Sequence, residues 1–185
     1  MLSALVSLAV ASPSEGGMDD DAWHLTFLGA IGTESVLADL AFLRRVDIAN
    51  TYFLALSAGR ALASYRDYLT LEVEGQVVKH FERQHHFEFN GFLALRWHPF
   101  PWDRYLDTSF AVGSGLSYAT EPPEIERDGE TPRLLNFLVF EKAISLPGAP
   151  RWSLIGRIHH RSSVFGLFGE RGGSNFLAVG IRYQF

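Results

Sequence analysis

The chain has 185 residues and a formal net charge of −5, with no cysteine and no block of basic residues. Disulfide scaffolds, cysteine nucleophiles and thiolate metal sites are therefore excluded, and nucleic acid is not expected as a partner. Aromatic residues make up 14%, rich for a soluble domain, and the length suffices for one domain with an enclosed interior.

At the N-terminus, Leu2 to Val10 form a largely apolar stretch, and Ala9-Val10-Ala11 is a small-x-small cleavage pattern. The expectation is a signal peptide over 1–11, a short segment over 12–22, and one domain over 23–185. No later run approaches the ~18 apolar residues of a membrane helix. The remaining way to span a bilayer is a closed β-barrel, which satisfies every backbone polar group internally.

Period-two alternation recurs along the rest of the chain. Strands are expected near 23–32, 51–62, 67–80, 86–98, 107–119, 134–145, 151–163 and 174–185. The segment 34–47 reads poorly as strand and suits a short helix or part of a long first loop. In the third strand Leu69, Leu71, Val73 and Val77 share one face, opposite Thr70, Glu72, Glu74 and Gln76. In the fourth, Phe87, Phe89, Leu93, Leu95 and Trp97 oppose Glu88, Asn90 and Arg96. In the fifth, Phe110, Val112, Leu116 and Tyr118 oppose Ser109, Ala111, Gly113, Gly115 and Ser117. A soluble sandwich also alternates. Charged residues and glycines on the polar face suit instead the crowded, polar interior of a small barrel.

The joins 98–105 and 145–150 are short and carry proline, as expected at a periplasmic end, whereas 119–133 is long and polar. Trp97, Phe100, Trp102, Tyr105, Trp152, Tyr183 and Phe185 would then gather at one rim as an interfacial girdle. The fold class expected is all-β: an eight-stranded antiparallel transmembrane barrel in a bacterial outer membrane.

Counting back from Phe185 in twos puts Tyr183, Ile181, Val179, Leu177 and Asn175 on the lipid face. On the preceding strand Trp152, Leu154 and Ile158 share a parity that continues to His160 and Ser162, while Arg157, His159 and Arg161 point into the lumen. Three polar side chains facing hydrocarbon call for a reason, because an unpaired polar group there costs about 1–3 kcal/mol. A lipid substrate is one reason.

On the barrel plan, the His160-Arg161-Ser162 spacing, the outward parity and the alternating C-terminal strand, the chain resembles the lipid A 3-O-deacylases (PagL-like acyloxyacyl hydrolases). The resemblance implies ester hydrolysis through an acyl-enzyme, releasing a 3-hydroxy fatty acid from lipid A in the outer membrane. It makes Ser162 the nucleophile and His160 its general base, with no cofactor and no metal. Two positions depart from that family's pattern. Ser163 stands where an asparagine follows the catalytic serine, which leaves the oxyanion donor open, with a backbone N–H in the 163–166 turn as a candidate. Asn175 stands where the acid is expected on the last strand, and Glu170 in the preceding loop is a rival third member.

Blander readings run beside these. His160 and Ser162 could be polar residues at the headgroup boundary of a non-catalytic barrel with a structural or adhesive role. His159 reads as a lumen hydrogen-bonding residue, and His24 and His98 carry no signal. His80, His85 and His86 have no carboxylate at ligand spacing beyond Glu82, so no metal site is expected. Gly172-Gly173 suits a tight turn, and Arg171 is one exposed cation. An acyltransferase barrel would need an internal lipid cavity, which a lumen bearing Glu72, Glu88 and Arg96 opposes.

Overall fold

The computed structural model describes residues 22–42, 44, 46–126, 132–164 and 173–185. The expected signal peptide, Glu170, Arg171 and Gly172 lie outside them. Eight strands follow in order: β1 (Trp23–Thr33), β2 (Ile48–Tyr65), β3 (Leu69–Glu82), β4 (Phe87–Trp97), β5 (Asp107–Ala119), β6 (Leu134–Ser145), β7 (Trp152–Ser162) and β8 (Gly173–Gln184). One short helix, α1 (Leu37–Ala41), follows β1. Each strand pairs antiparallel with the next, and β8 pairs with β1 to close the barrel. Among the described residues, no helix is long and apolar enough to cross a membrane. The strands reach or exceed the ~9–11 residues that a tilted strand needs to span one.

Sequence alternation places the elements to within a few residues, and β2 departs most. It starts at Ile48 and runs to Tyr65 because the neck of the first loop is strapped. Thr33 pairs with Ile48, and the Glu34 N–H donates to the Asp47 carbonyl at 2.9 Å. At its far end β2 turns into β3 through Arg66, whose φ is 51°. The short helix expected within 34–47 is α1.

Exposure alternates as the sequence demands. Phe87, Phe89, Leu93, Leu95 and Trp97 are outward and exposed, while Glu88, Asn90, Phe92, Ala94 and Arg96 are buried. Aliphatic and aromatic side chains cover the outer wall on every strand, and a band of this kind belongs in hydrocarbon rather than water. At the end shared by the β4–β5 and β6–β7 turns, rings pack into a girdle: Trp152 on Tyr183 (4.7 Å between centroids), Tyr183 on Phe185 (5.2 Å) and Phe100 on Trp102 (5.2 Å). That girdle marks a headgroup interface.

The lumen is filled in tiers. Nearest the girdle, Arg96, Arg157 and Arg182 interleave with Glu72, Glu74 and Glu141. Arg96 donates to both Glu72 oxygens (2.8 and 3.0 Å) and to Glu141 (2.6 Å). Arg157 reaches both oxygens of Glu74 (2.8 and 3.1 Å) and also donates to Glu141. Three cations against three anions leave the plug neutral, with each charge held by several partners, which burial requires. Above it Leu28, Phe53, Val78 and Phe176 pack together, with Phe92 and Phe137 beside them. A Cβ on Gly115 would stand 2.0 Å from the Gly91 carbonyl oxygen and 2.7 Å from the Phe92 Cβ. Glycine there is what lets the β4 and β5 backbones approach. The upper tier is polar again, centred on Glu88, His159 and Arg161.

Candidate active site on the outer wall

The parity argument depends on an unbroken register, and the register is unbroken. From Trp152↔Tyr183 to Ser162↔Gly173, β7 and β8 pair residue for residue without a bulge, so His160 lies directly across from Asn175. Both, with Ser162, are half-buried on the outer face, whereas Arg157, His159 and Arg161 are buried inside.

The paired side chains touch. His160 Nδ1 lies 2.6 Å from Asn175 Oδ1. The other end of the Asn175 amide, Nδ2, donates to the Ser35 carbonyl at 2.9 Å. A carbonyl can only accept, so Ser35 fixes which end of the amide is the oxygen, and that oxygen must accept from His160. His160 is therefore the Nδ1–H tautomer, and its Nε2 carries a lone pair. Ser35 is itself held: its N–H donates to Thr33 Oγ1 (2.9 Å), and its Oγ accepts from the Asp47 N–H (2.8 Å). The loop after β1 thus folds against the outer wall, with α1 packed on β7.

Ser162 follows His160 on the same face and lies opposite Asn136 of β6. The Asn136 amide donates to Ser114 Oγ (3.2 Å) and to the Gly115 carbonyl (3.0 Å), so a polar strip runs from β8 to β5 across the outer wall. Sequence reading missed Asn136. Its signal was an asparagine at the parity of Leu134, Leu138 and Phe140. It missed Ser35 as well, which no local pattern marks. Directly after the strip, Ser163 turns inward and is buried, and Val164 adopts φ 46°. A β-branched residue is strained there, and such strain persists where the surroundings over-determine the backbone. Of the 163–166 turn, Ser163 and Val164 are described. Glu170, the rival third member, lies outside the described residues; among them, Asn175 is the side chain hydrogen-bonded to His160.

The remaining histidines stand elsewhere. His159 Nε2 lies 2.9 Å from Glu88 Oε1 inside the barrel, where the sequence put it. His24 meets Glu74 (3.4 Å). His98 shares a 2.9 Å hydrogen bond with Thr70 Oγ1 outside the spans, where burial and then Arg96 hold it below its usual value. Beyond β5, burial holds the Glu126 carboxyl above its usual value, although Arg161 donates to it at 2.8 Å. The expectation that His80, His85 and His86 lack a carboxylate is corrected. The β3–β4 hairpin brings His80 and His86 to Glu88 within the lumen, all three buried, while His85 is exposed. A cavity of about 380 Å³ opens at the girdle end, lined by His24, Glu72, Arg96, His98, Asp107 and Arg151 among others. Its lining mixes these ionisable side chains with apolar ones such as Ala143 and Phe185.

No family model and no curated protein matches the chain. Solved structures do. The outer-membrane enzyme PagL is similar over 85% of this chain and 98% of its own, at 11% identity and a TM-score of 0.57. Neisserial surface protein A (NspA) is similar over 89% and 99%, at 13% identity and a TM-score of 0.53. The N-terminal barrel domain of Pseudomonas aeruginosa OprF is similar over 89% and 98%, at 10% identity and a TM-score of 0.50. Together with the apolar outer band and the aromatic girdle, these likenesses make the chain a small eight-stranded β-barrel of the bacterial outer membrane.

Proposed function

We propose that the barrel is an outer-membrane esterase that removes an ester-linked 3-hydroxyacyl chain from lipid A. One observation carries this reading: an Asn-oriented histidine on the lipid-facing wall, its Nε2 lone pair free to act, with a serine next along the same face. In the reaction, His160 Nε2 takes the Ser162 hydroxyl proton as Oγ attacks the ester carbonyl. The tetrahedral intermediate collapses, the proton passes from His160 to the departing sugar alkoxide, and the acyl group remains on Ser162. Water, deprotonated by the same Nε2, then releases the 3-hydroxy fatty acid and restores the serine. Asn175 holds the tautomer throughout without supplying charge.

The test is mass spectrometry of lipid A from cells carrying the parent protein or Ser162→Ala. The parent should produce lipid A lighter by one 3-hydroxyacyl group, and the variant, folded and inserted, should leave the mass unchanged. Equal deacylation by both would remove Ser162 from the mechanism.

A second reading, a non-catalytic barrel, rests on the comparable likeness to NspA and OprF. It gains if the parent leaves every lipid A species intact.

A further inference from the structure

On the inner side of the wall, the upper tier of the lumen gathers imidazoles around one carboxylate. His80, His86 and Glu88 are 1%, 3% and 0% exposed, and a ligand atom of each lies within 4.8 Å of those of the other two. The short connection between β3 and β4 sets this up, since the His80 N–H donates to the His86 carbonyl at 3.2 Å and the two rings stack at 4.5 Å.

Neighbouring side chains orient His80 and Glu88. Gln84 Nε2 donates to His80 Nδ1 (3.2 Å), which turns His80 Nε2 toward Glu88 Oε2 at 2.9 Å. The other carboxylate oxygen, Oε1, is held by His159 Nε2 (2.9 Å) and the Ser117 hydroxyl (3.0 Å). His86 Nε2 is buried with no hydrogen-bond partner among the described residues, which is costly for an imidazole nitrogen in an interior. Phe53 and Phe176 pack on the His80 ring at 5.5 and 5.3 Å and supply an apolar collar. Metal sites share these features: oriented imidazoles, a carboxylate pinned through its second oxygen, and an apolar surround.

We infer that His80, His86 and Glu88 form a binding site for one divalent late transition cation of the zinc class, inside the extracellular end of the barrel. Two imidazole nitrogens and one carboxylate oxygen are the donor set such borderline ions select over calcium or magnesium. Ligand atoms on a tetrahedral zinc stand about 3.4 Å apart, given bonds of roughly 2.0–2.1 Å. The three groups therefore need side-chain adjustment rather than backbone movement. For His80 Nε2 to take the ion, its proton moves to Nδ1, and the Gln84 amide turns so that its Oε1, buried without a hydrogen-bond partner among the described residues, accepts it. Three protein ligands leave the fourth position for water.

The experiment uses untagged, refolded barrel in detergent, stripped with chelator and titrated with zinc chloride. One equivalent should bind with a dissociation constant in the micromolar range or tighter. His86→Asn should weaken binding at least tenfold, and His85→Asn at the exposed neighbour should leave it unchanged. X-ray absorption of the zinc-loaded parent, which requires no variant to fold, should show two imidazoles and a carboxylate in the first shell. Absence of saturable binding, undiminished binding by His86→Asn, or a first shell without histidine would each overturn the assignment.

Discussion

The Asn175 amide and the Ser35 carbonyl, 140 residues apart in sequence, meet at 2.9 Å on the outer wall of the barrel. This contact decides the tautomer of His160, so in the proposed deacylation Asn175 would act through His160 rather than by touching substrate. Asn175→Leu should lower kcat for lipid A deacylation by about 10²-fold, within the range that a positioned general base contributes. KM should change little, because acyl-chain binding is untouched. Asn175→Asp keeps an acceptor toward His160 and should retain activity to within roughly tenfold of the parent. Deacylation kinetics in mixed micelles, beside a heat-modifiability gel that reports folding, would check both.

His159 is the neighbour of His160 on the opposite side of the sheet, and its partner is Glu88. His160→Ala should cost about 10²–10⁴-fold in rate while leaving stability nearly unchanged. His159→Ala should do the reverse, because it strips a partner from a buried carboxylate. Measuring rate and unfolding midpoint for both variants separates the two faces.

The lumen network makes a thermodynamic prediction. Arg96 is shared by Glu72 and Glu141, so Arg96→Met leaves two buried carboxylates short of a partner. Breaking a buried pair by removing one member costs about 3–5 kcal/mol. Urea unfolding of the refolded barrel should show a loss of that order.

Outward parity can be tested at the middle of the wall. Val179 is exposed to lipid. Val179→Arg should destabilise insertion by about 2–4 kcal/mol if that position lies near the bilayer midplane. Reversible folding into lipid vesicles reads this directly.

Acid should weaken the girdle end. His98 is held below its ordinary value by burial and by Arg96, so the unfolded chain takes up this proton first as pH falls. Its contribution is intact above the ordinary histidine value of 6.5 and is lost as pH drops from there toward the lower folded value. His98→Gln should flatten that part of the stability profile, measured as the urea midpoint between pH 7 and pH 5.

Much of this was legible without coordinates. Alternation in β3, β4 and β5 declared both the barrel and its inside, because a strand's two faces are read two residues at a time and one face had to be apolar. The same counting placed His160, Ser162 and Asn175 outside and His159 inside, since neither β7 nor β8 contains a bulge. What counting could not reach were contacts made across the closure. Ser35 lies in a loop with no periodicity, and Asn136 becomes a neighbour of Ser162 through strand pairing. Glu88 was legible as an inward residue, but its meeting with His80 and His86 depends on a connection that folds back into the lumen.

Sequence by itself thus determined the period, the parity and the aromatic rim, all of which follow from local backbone geometry and from what each face must meet. Tertiary structure alone decided which amide end faces His160, which imidazoles share Glu88, and how three arginines divide three glutamates. Those are properties of side chains brought together by closing the sheet, and nothing in their spacing along the chain encodes them.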